Sequence, residues 1–292
     1  MKSLAALFLM ACTAEPALPL DAPVPDALHR AHAAWVGEDL VTLTASVHEV
    51  LASQPSDLAR DNALALLDVA FQAHPHLPSN QTLPDGVRRL SLNHIHREGP
   101  DGHRFRLVVG GVADRADRVQ GVTLTGPGVD AASASWNVTP EQGGHYFELE
   151  LMDQPVPATD GLYQIAVSTD SGTTTLWAVL VGLTASEVPQ VYSPHPGQVL
   201  STSTPTITFE DEPTPESGEH EWAGVGVWIA NLPDYSEAWS GGAAEGAGSL
   251  TVDTPLADGR YWLGVSRREV RSLGPVHLGR IARRSVPFEI RR

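Results

Sequence analysis

The sharpest chemical signal in the chain is His94-Ile95-His96, with His103 on the far side of Gly99-Pro100-Asp101-Gly102. Residues i and i+2 of an extended strand face the same side, so His94 and His96 share a face and a hairpin brings His103 across to them. Three imidazoles could hold Zn²⁺ with a fourth position open for water. No carboxylate is placed beside them as a base, and a wetted strand face explains the same letters. His74-Pro75-His76 offers less, because Pro75 interrupts the backbone that would aim both rings. Tyr235 and Trp239 sit near Asp234, Asn231 and Gly241-Gly242, a setting in which aromatics stack on a sugar ring or plug the end of a fold. Glu210, Asp211, Glu212, Glu216, Glu219 and Glu221 are oxygen ligands suited to Ca²⁺, but they lack the alternate spacing and turn glycine of a calcium loop. That run is expected to be a solvated loop.

Much other chemistry is excluded. Of 19 basic residues among 292, only Lys2 is lysine, so neither a P-loop nor a Schiff-base lysine is available in the body of the chain. There is no Gly-x-Ser-x-Gly elbow, His-Glu-x-x-His, Cys-x-x-Cys, EF-hand loop or dinucleotide glycine fingerprint. Asp170-Ser171-Gly172-Thr173 has the letters of the short aspartic-protease signature, yet it has no second copy for a carboxylate dyad and falls between two predicted strands, where Asp-Ser-Gly is turn chemistry. A net charge of −16 disfavours nucleic acid as a partner. The charge is uneven, however: from Asp258 to Arg292 nine arginines face three acids. This region is either a contact for an acidic partner (lipid phosphates, an acidic glycan or a neighbour's 210–221 loop) or an exposed sheet face that uses arginine for want of lysine. No cofactor is expected.

The N-terminus reads as an address. Residues 1–12 carry one positive charge, an apolar run from Leu4 to Ala11 and the sole cysteine, Cys12; the run is too short to cross a bilayer. Leu9-Met10-Ala11-Cys12 resembles the lipobox of bacterial lipoproteins. That resemblance implies cleavage before Cys12, lipidation of its thiol and, with Thr13 rather than Asp next, retention at the outer membrane. Residues 13–25, with prolines at 16, 19, 23 and 25, form an extended tether of roughly 40 Å at about 3 Å per residue.

The rest must position any site. Helical spacing runs from Asp26 to His74: Leu28, Ala31 and Trp35; then Leu40, Leu43, Val47, Val50 and Leu51; then Ala59, Ala63, Leu66, Leu67 and Ala70. The three helices are similar to a tetratricopeptide unit, but without a second 34-residue copy they read as a small helical domain over 26–84. After Pro84 the period becomes two, with short predicted strands divided by Gly, Pro, Asn and Asp. Asp160-Gly161-Leu162-Tyr163 and Asp258-Gly259-Arg260-Tyr261 repeat one device, the tyrosines 98 residues apart, about one sandwich domain. Both stretches resemble immunoglobulin-like and fibronectin type III modules of bacterial surface proteins, which implies tyrosine-corner roles for Tyr163 and Tyr261. The expected fold is therefore mainly β with an N-terminal helical region: one immunoglobulin-like sandwich over 85–185 and a second over 187–292. The expected function is a non-enzymatic, membrane-anchored surface or periplasmic lipoprotein that serves as spacer and protein-interaction module. The alternative is an envelope or extracellular glycan-binding protein that uses the second sandwich, and a metal-dependent hydrolase ranks third.

Overall fold

In a computed structural model, residues 26–129, 134–141, 144–151, 154–182, 188–210, 224–243 and 247–292 are described. The leader, the tether, Cys12 and the acidic run from Asp211 to Glu221 lie outside them.

Three helices open the described chain, α1 (Asp26–Val36), α2 (Leu40–Ala52) and α3 (Asp57–Ala73). Side chains cap two of them: Asp39 accepts from the Thr42 amide at the start of α2 and Ser56 from the Ala59 amide at the start of α3. Such caps satisfy N–H groups that no helical carbonyl reaches. Pro75 follows α3 and cannot continue it. The short β1 (His76–Leu77) leads into a seven-stranded sandwich. One sheet runs β2 (Val87–Gly99), β3 (Gly102–Ala113), β6 (Gly144–Leu151), β5 (Ala134–Glu141), and faces a second of β4 (Val119–Thr125), β7 (Gly161–Thr169) and β8 (Gly172–Leu180). This is the ABED-against-CFG arrangement of a constant-type immunoglobulin domain. Leu90, Leu92, Val109, Phe147 and Leu149 meet Val122, Leu124, Ile165, Val167 and Leu176 in its core.

The second sandwich sets β9 (Val191–Ser193), β11 (Thr206–Phe209) and β14 (Ser249–Thr251) against β12 (Gly224–Asn231), β13 (Glu237–Ala243), β15 (Gly259–Leu273) and β16 (Val276–Ile290), with β10 (Gln198–Leu200) parallel to the end of β16. Its core holds Ile207, Phe209 and Val252 against Val227, Ile229, Leu263, Val265, Val286 and Phe288. The expected class, mainly β with N-terminal helices and two immunoglobulin-like sandwiches, is the observed one.

Sequence spacing does not suggest how the sandwiches meet. Residues between Ser266 and Ile281 form the outer half of one long hairpin of two 15-residue strands, β15 and β16. This arm leaves the second sandwich, crosses the expected boundary and pairs in parallel with β2, from Val276 opposite Leu90 to Arg284 opposite Glu98. A ten-stranded sheet results. At the arm's tip Gly274 turns the chain with φ +58 and donates to the Leu77 carbonyl at 2.7 Å, while Leu273, Val276 and Leu278 enter the first core with Leu43, Val47, Leu67 and Phe71 of the helices. α2 and the segment that follows β1 also cover the outer edge of β8. There the Gln81 amide bonds the Trp177 N–H (2.6 Å) and carbonyl (3.0 Å) as a neighbouring strand would, and His48 stacks on the Trp177 ring at 4.4 Å.

Because the arm belongs to the second sandwich and packs in the first core, Leu278→Ala is expected to cost about 2–5 kcal/mol and to lower one common unfolding transition in urea. Two transitions, only one of them shifted, would show that the sandwiches unfold separately.

Candidate functional site: the two faces of the joined sheet

Strand alternation divides the arm. Even-numbered residues of β16 and odd-numbered residues of β15 face the covered side, where the helices and both small sheets pack; their neighbours face the open side. The doublets Arg267-Arg268 and Arg283-Arg284 therefore send one guanidinium each way.

On the covered side a polar belt separates the two apolar cores. Arg271 bonds Asp68 of α3 (3.1 Å) and Glu269 (2.7 Å) and lies 5.4 Å from the centre of the Phe71 ring. Arg280 shares Glu269 (3.2 Å) and donates to the Gly182 carbonyl (2.7 Å). Arg284 pairs with Glu98 (2.8 Å) and donates to the Pro189 carbonyl (3.0 Å). These arginines hold both flanks of the connection between the sandwiches to the arm.

His94 lies in this belt opposite Arg280. It is 1 % exposed, its Nε2 has no hydrogen-bond partner among the described residues, and Phe105 stacks on it at 5.8 Å. Burial, then the Arg280 charge and then His96, push its pKa from 6.5 to about 4, so it is neutral at pH 7. His96 stacks on the other side of the aromatic row and meets His103 at 2.9 Å. The three histidines thus share a face, but His94 is enclosed, and no group of three or more metal-ligating side chains forms among the described residues.

The remaining sequence candidates scatter. Trp239 does not lie in a loop with Tyr235: it is in β13, 9 % exposed, within the second core, and its indole N–H donates to Asp253 at 2.8 Å. Tyr235 is 63 % exposed with φ +57, so the two do not form a joint stacking platform. Asp170 is bound by Arg118 at 2.6 Å in the β7–β8 turn. Both corner tyrosines enter a core: Tyr163 donates to the Thr159 carbonyl at 2.6 Å and Tyr261 to the Ala257 carbonyl at 2.8 Å. Burial raises the Tyr163 hydroxyl's pKa, with Asp160 adding to the shift.

The open side carries the residues that motif reading missed. Ile281 of β16 neighbours Ile95 of β2 and Arg268 of β15, and Ile95 neighbours Arg106 of β3. With Val108, Asn93, Tyr146, Glu148 and Glu150 they line a cleft of about 350 Å³. Arg106 is paired with Glu150, and Tyr146 donates to Glu148 at 2.9 Å. One row along, Arg283 lies 5.7 Å from the centre of the Trp228 ring, which itself covers Gly264, where any Cβ would collide with the indole. Burial, and then Arg97 and Arg106, hold Arg283 below the ordinary arginine range; burial and then Arg89 do the same to Arg268. Crowded cations on a protein of net −16 are the electrostatic anomaly of the molecule. The arginine doublets are the signal that could have revealed them.

A family model described as "Protein of unknown function (DUF2861)" matches residues 24–289. The chain belongs to this family. The match takes in the helices, both sandwiches and all of β16 but its final residue, Ile290, so the β16–β2 ladder lies within the span that defines the family. No curated protein matches the chain. Among solved structures it is similar to a chimeric titin Z1Z2 carrying a decorin peptide (14 % identity, 70 % of this chain and 96 % of that one, TM-score 0.22) and to titin A168–A169 (13 %, 70 % and 97 %, 0.20). It is also similar to the N-terminal eight immunoglobulin domains of a Down syndrome cell adhesion molecule (12 %, 70 % and 24 %, 0.22). At such TM-scores these likenesses say nothing of function.

Two measurements check this geometry. Because His94 has a lower pKa folded than unfolded, the folded state binds fewer protons: its contribution is complete above pH 6.5 and is lost as pH falls through about 4. At about 1.4 kcal/mol per unit, the urea-measured loss is about 3 kcal/mol, and in His94→Leu that part of the pH dependence should vanish. Tyr163→Phe is expected to cost about 0.5–1.5 kcal/mol in the same assay, since it removes the hydroxyl that donates to the Thr159 carbonyl.

Proposed function

We propose that the protein is a non-enzymatic, membrane-anchored module of the bacterial cell envelope, a spacer that also presents an interaction surface. The observation that carries this reading is the β16–β2 ladder. A continuous sheet resists bending between the sandwiches, and its open face is a broad, polar, cationic surface rather than an enclosed catalytic pocket. Cys12, acylated after removal of residues 1–11, would anchor the chain at the outer membrane, since multiple acyl chains hold a protein stably without a spanning helix. The proline-rich residues 13–25 would hold the folded part away from the lipid. Asp170 is engaged by Arg118 and His94 is enclosed, so neither favours protease or metal-hydrolase chemistry.

The glycan alternative survives in altered form. Burial of Trp239 removes support from the Tyr235–Trp239 site, and the arginine-rich open face offers a better one.

Cys12→Ser is expected to abolish lipid labelling in cells and to release the protein into the soluble fraction. Unchanged membrane retention would refute the anchor. In-cell crosslinking through the open face, followed by identification of what is captured, reads the interaction role directly.

A further inference from the structure

The open-face cleft makes specific demands on what fills it. Its floor is aliphatic, made by Ile95, Val108 and Ile281, and its volume of about 350 Å³ is at the small end of ligand pockets. Its rim carries both signs. Among the described residues Arg268 has no carboxylate partner, and Arg89 is the charge that acts on it most. Glu148 faces the cleft as an acceptor. Asn93, nine-tenths buried, also lines the cleft, with its Oδ1 turned down onto Gly279.

A fitting occupant therefore presents an anionic oxygen to Arg268, hydroxyl donors to Glu148 and a C–H face to the floor. An inorganic anion has no donors and meets Glu148 and Glu150. A neutral sugar leaves Arg268 unmatched. A peptide strand finds no free edge here, because β2, β3, β15 and β16 are all paired on both sides along this stretch or covered by their own hairpin, and strand addition needs an unpaired edge. A sugar ring bearing a carboxylate meets every demand. Arg97 and Arg283 follow one row further, about 7 Å along the strands, in line for the next acidic unit of a polymer.

We propose that this cleft is a subsite for a uronic acid residue of an acidic polysaccharide, with Arg268 binding the carboxylate and Glu148 the ring hydroxyls. The site rests on the interaction-module reading above and gives it a ligand class. The two fail separately, because lipid labelling at Cys12 does not depend on Arg268.

The test is calorimetric titration of the purified full chain with galacturonate and guluronate tetramers, their methyl esters, a poly-glutamate peptide and sodium sulfate. At least one acidic tetramer is expected to bind ten times or more tightly than its own methyl ester, with affinity falling as salt rises. Arg268→Gln should lower that affinity tenfold or more without moving the thermal midpoint, and Arg268→Lys, which keeps the charge and safeguards against a folding defect, should fall between. Glu148→Gln should weaken the methyl ester, whose hydroxyls lose a charged acceptor, and weaken the acid less, because its carboxylate is relieved of a like charge. Failure of both acidic tetramers to bind, equal binding of acid and ester, full affinity in Arg268→Gln, or tighter binding of poly-glutamate or sulfate would each overturn the assignment.

Discussion

The parallel ladder between β16 and β2 is the interaction on which the molecule's form depends. Tandem sandwiches joined only by a connecting segment keep their own sheets and their own edges. Here the last strand of the second sandwich becomes the neighbour of the first strand of the first sandwich, and backbone hydrogen bonds, rather than side chains alone, set their relative orientation. One consequence is positional: every side chain on the arm acquires an assigned face and an assigned neighbour, since a one-residue slip would send Leu278 to the open side and Arg283 into a core.

Arginine's geometry suits the belt beneath this ladder. Arg280 and Arg284 each bind a carboxylate and a backbone carbonyl at once, which a planar fork with five donors does and a compact ammonium on a flexible stem does less well. The belt keeps two apolar cores distinct on one side of a common sheet. Without its carboxylates and carbonyls the cost of burying these charges would outweigh their attraction. On the opposite face Arg268 and Arg283 have no carboxylate partner among the described residues, and there the sheet becomes a surface suited to an anion.

What the sequence reveals follows from the range of the forces involved. The helices are legible in Leu43, Val47 and Val50 because their period is local, and the Asp-Gly-x-Tyr pairs are legible because a corner tyrosine reaches only four residues back. The tenfold sheet is not, because Val276 meets Leu90 across most of the chain and nothing local marks the encounter. Arg267 through Arg271 reads only as part of an arginine-rich stretch, a partner contact or an exposed sheet face, for the same reason: in one dimension, residues that alternate between a buried belt and an open face resemble plain polarity. Trp239 reads as a loop aromatic because the glycines after it suggest a turn, whereas Gly241 is where its indole lies against the strand. The open-face cleft draws on β2, β3, β6, β15 and β16, and no single stretch of sequence contains it.

The turn at Gly274, where the arm ends against Leu77, also fixes a chronology. A chain made from its N-terminus presents β2 long before β16 exists, so the first sandwich waits with β2 unpaired on one side until β16 has been made. Its closure and that of the second sandwich are then one event of very high contact order, slow by topology. It follows that the second sandwich is not an exchangeable bead. Cut out and joined elsewhere, it would carry a bare arm, and the domain it left behind would have lost part of its own sheet.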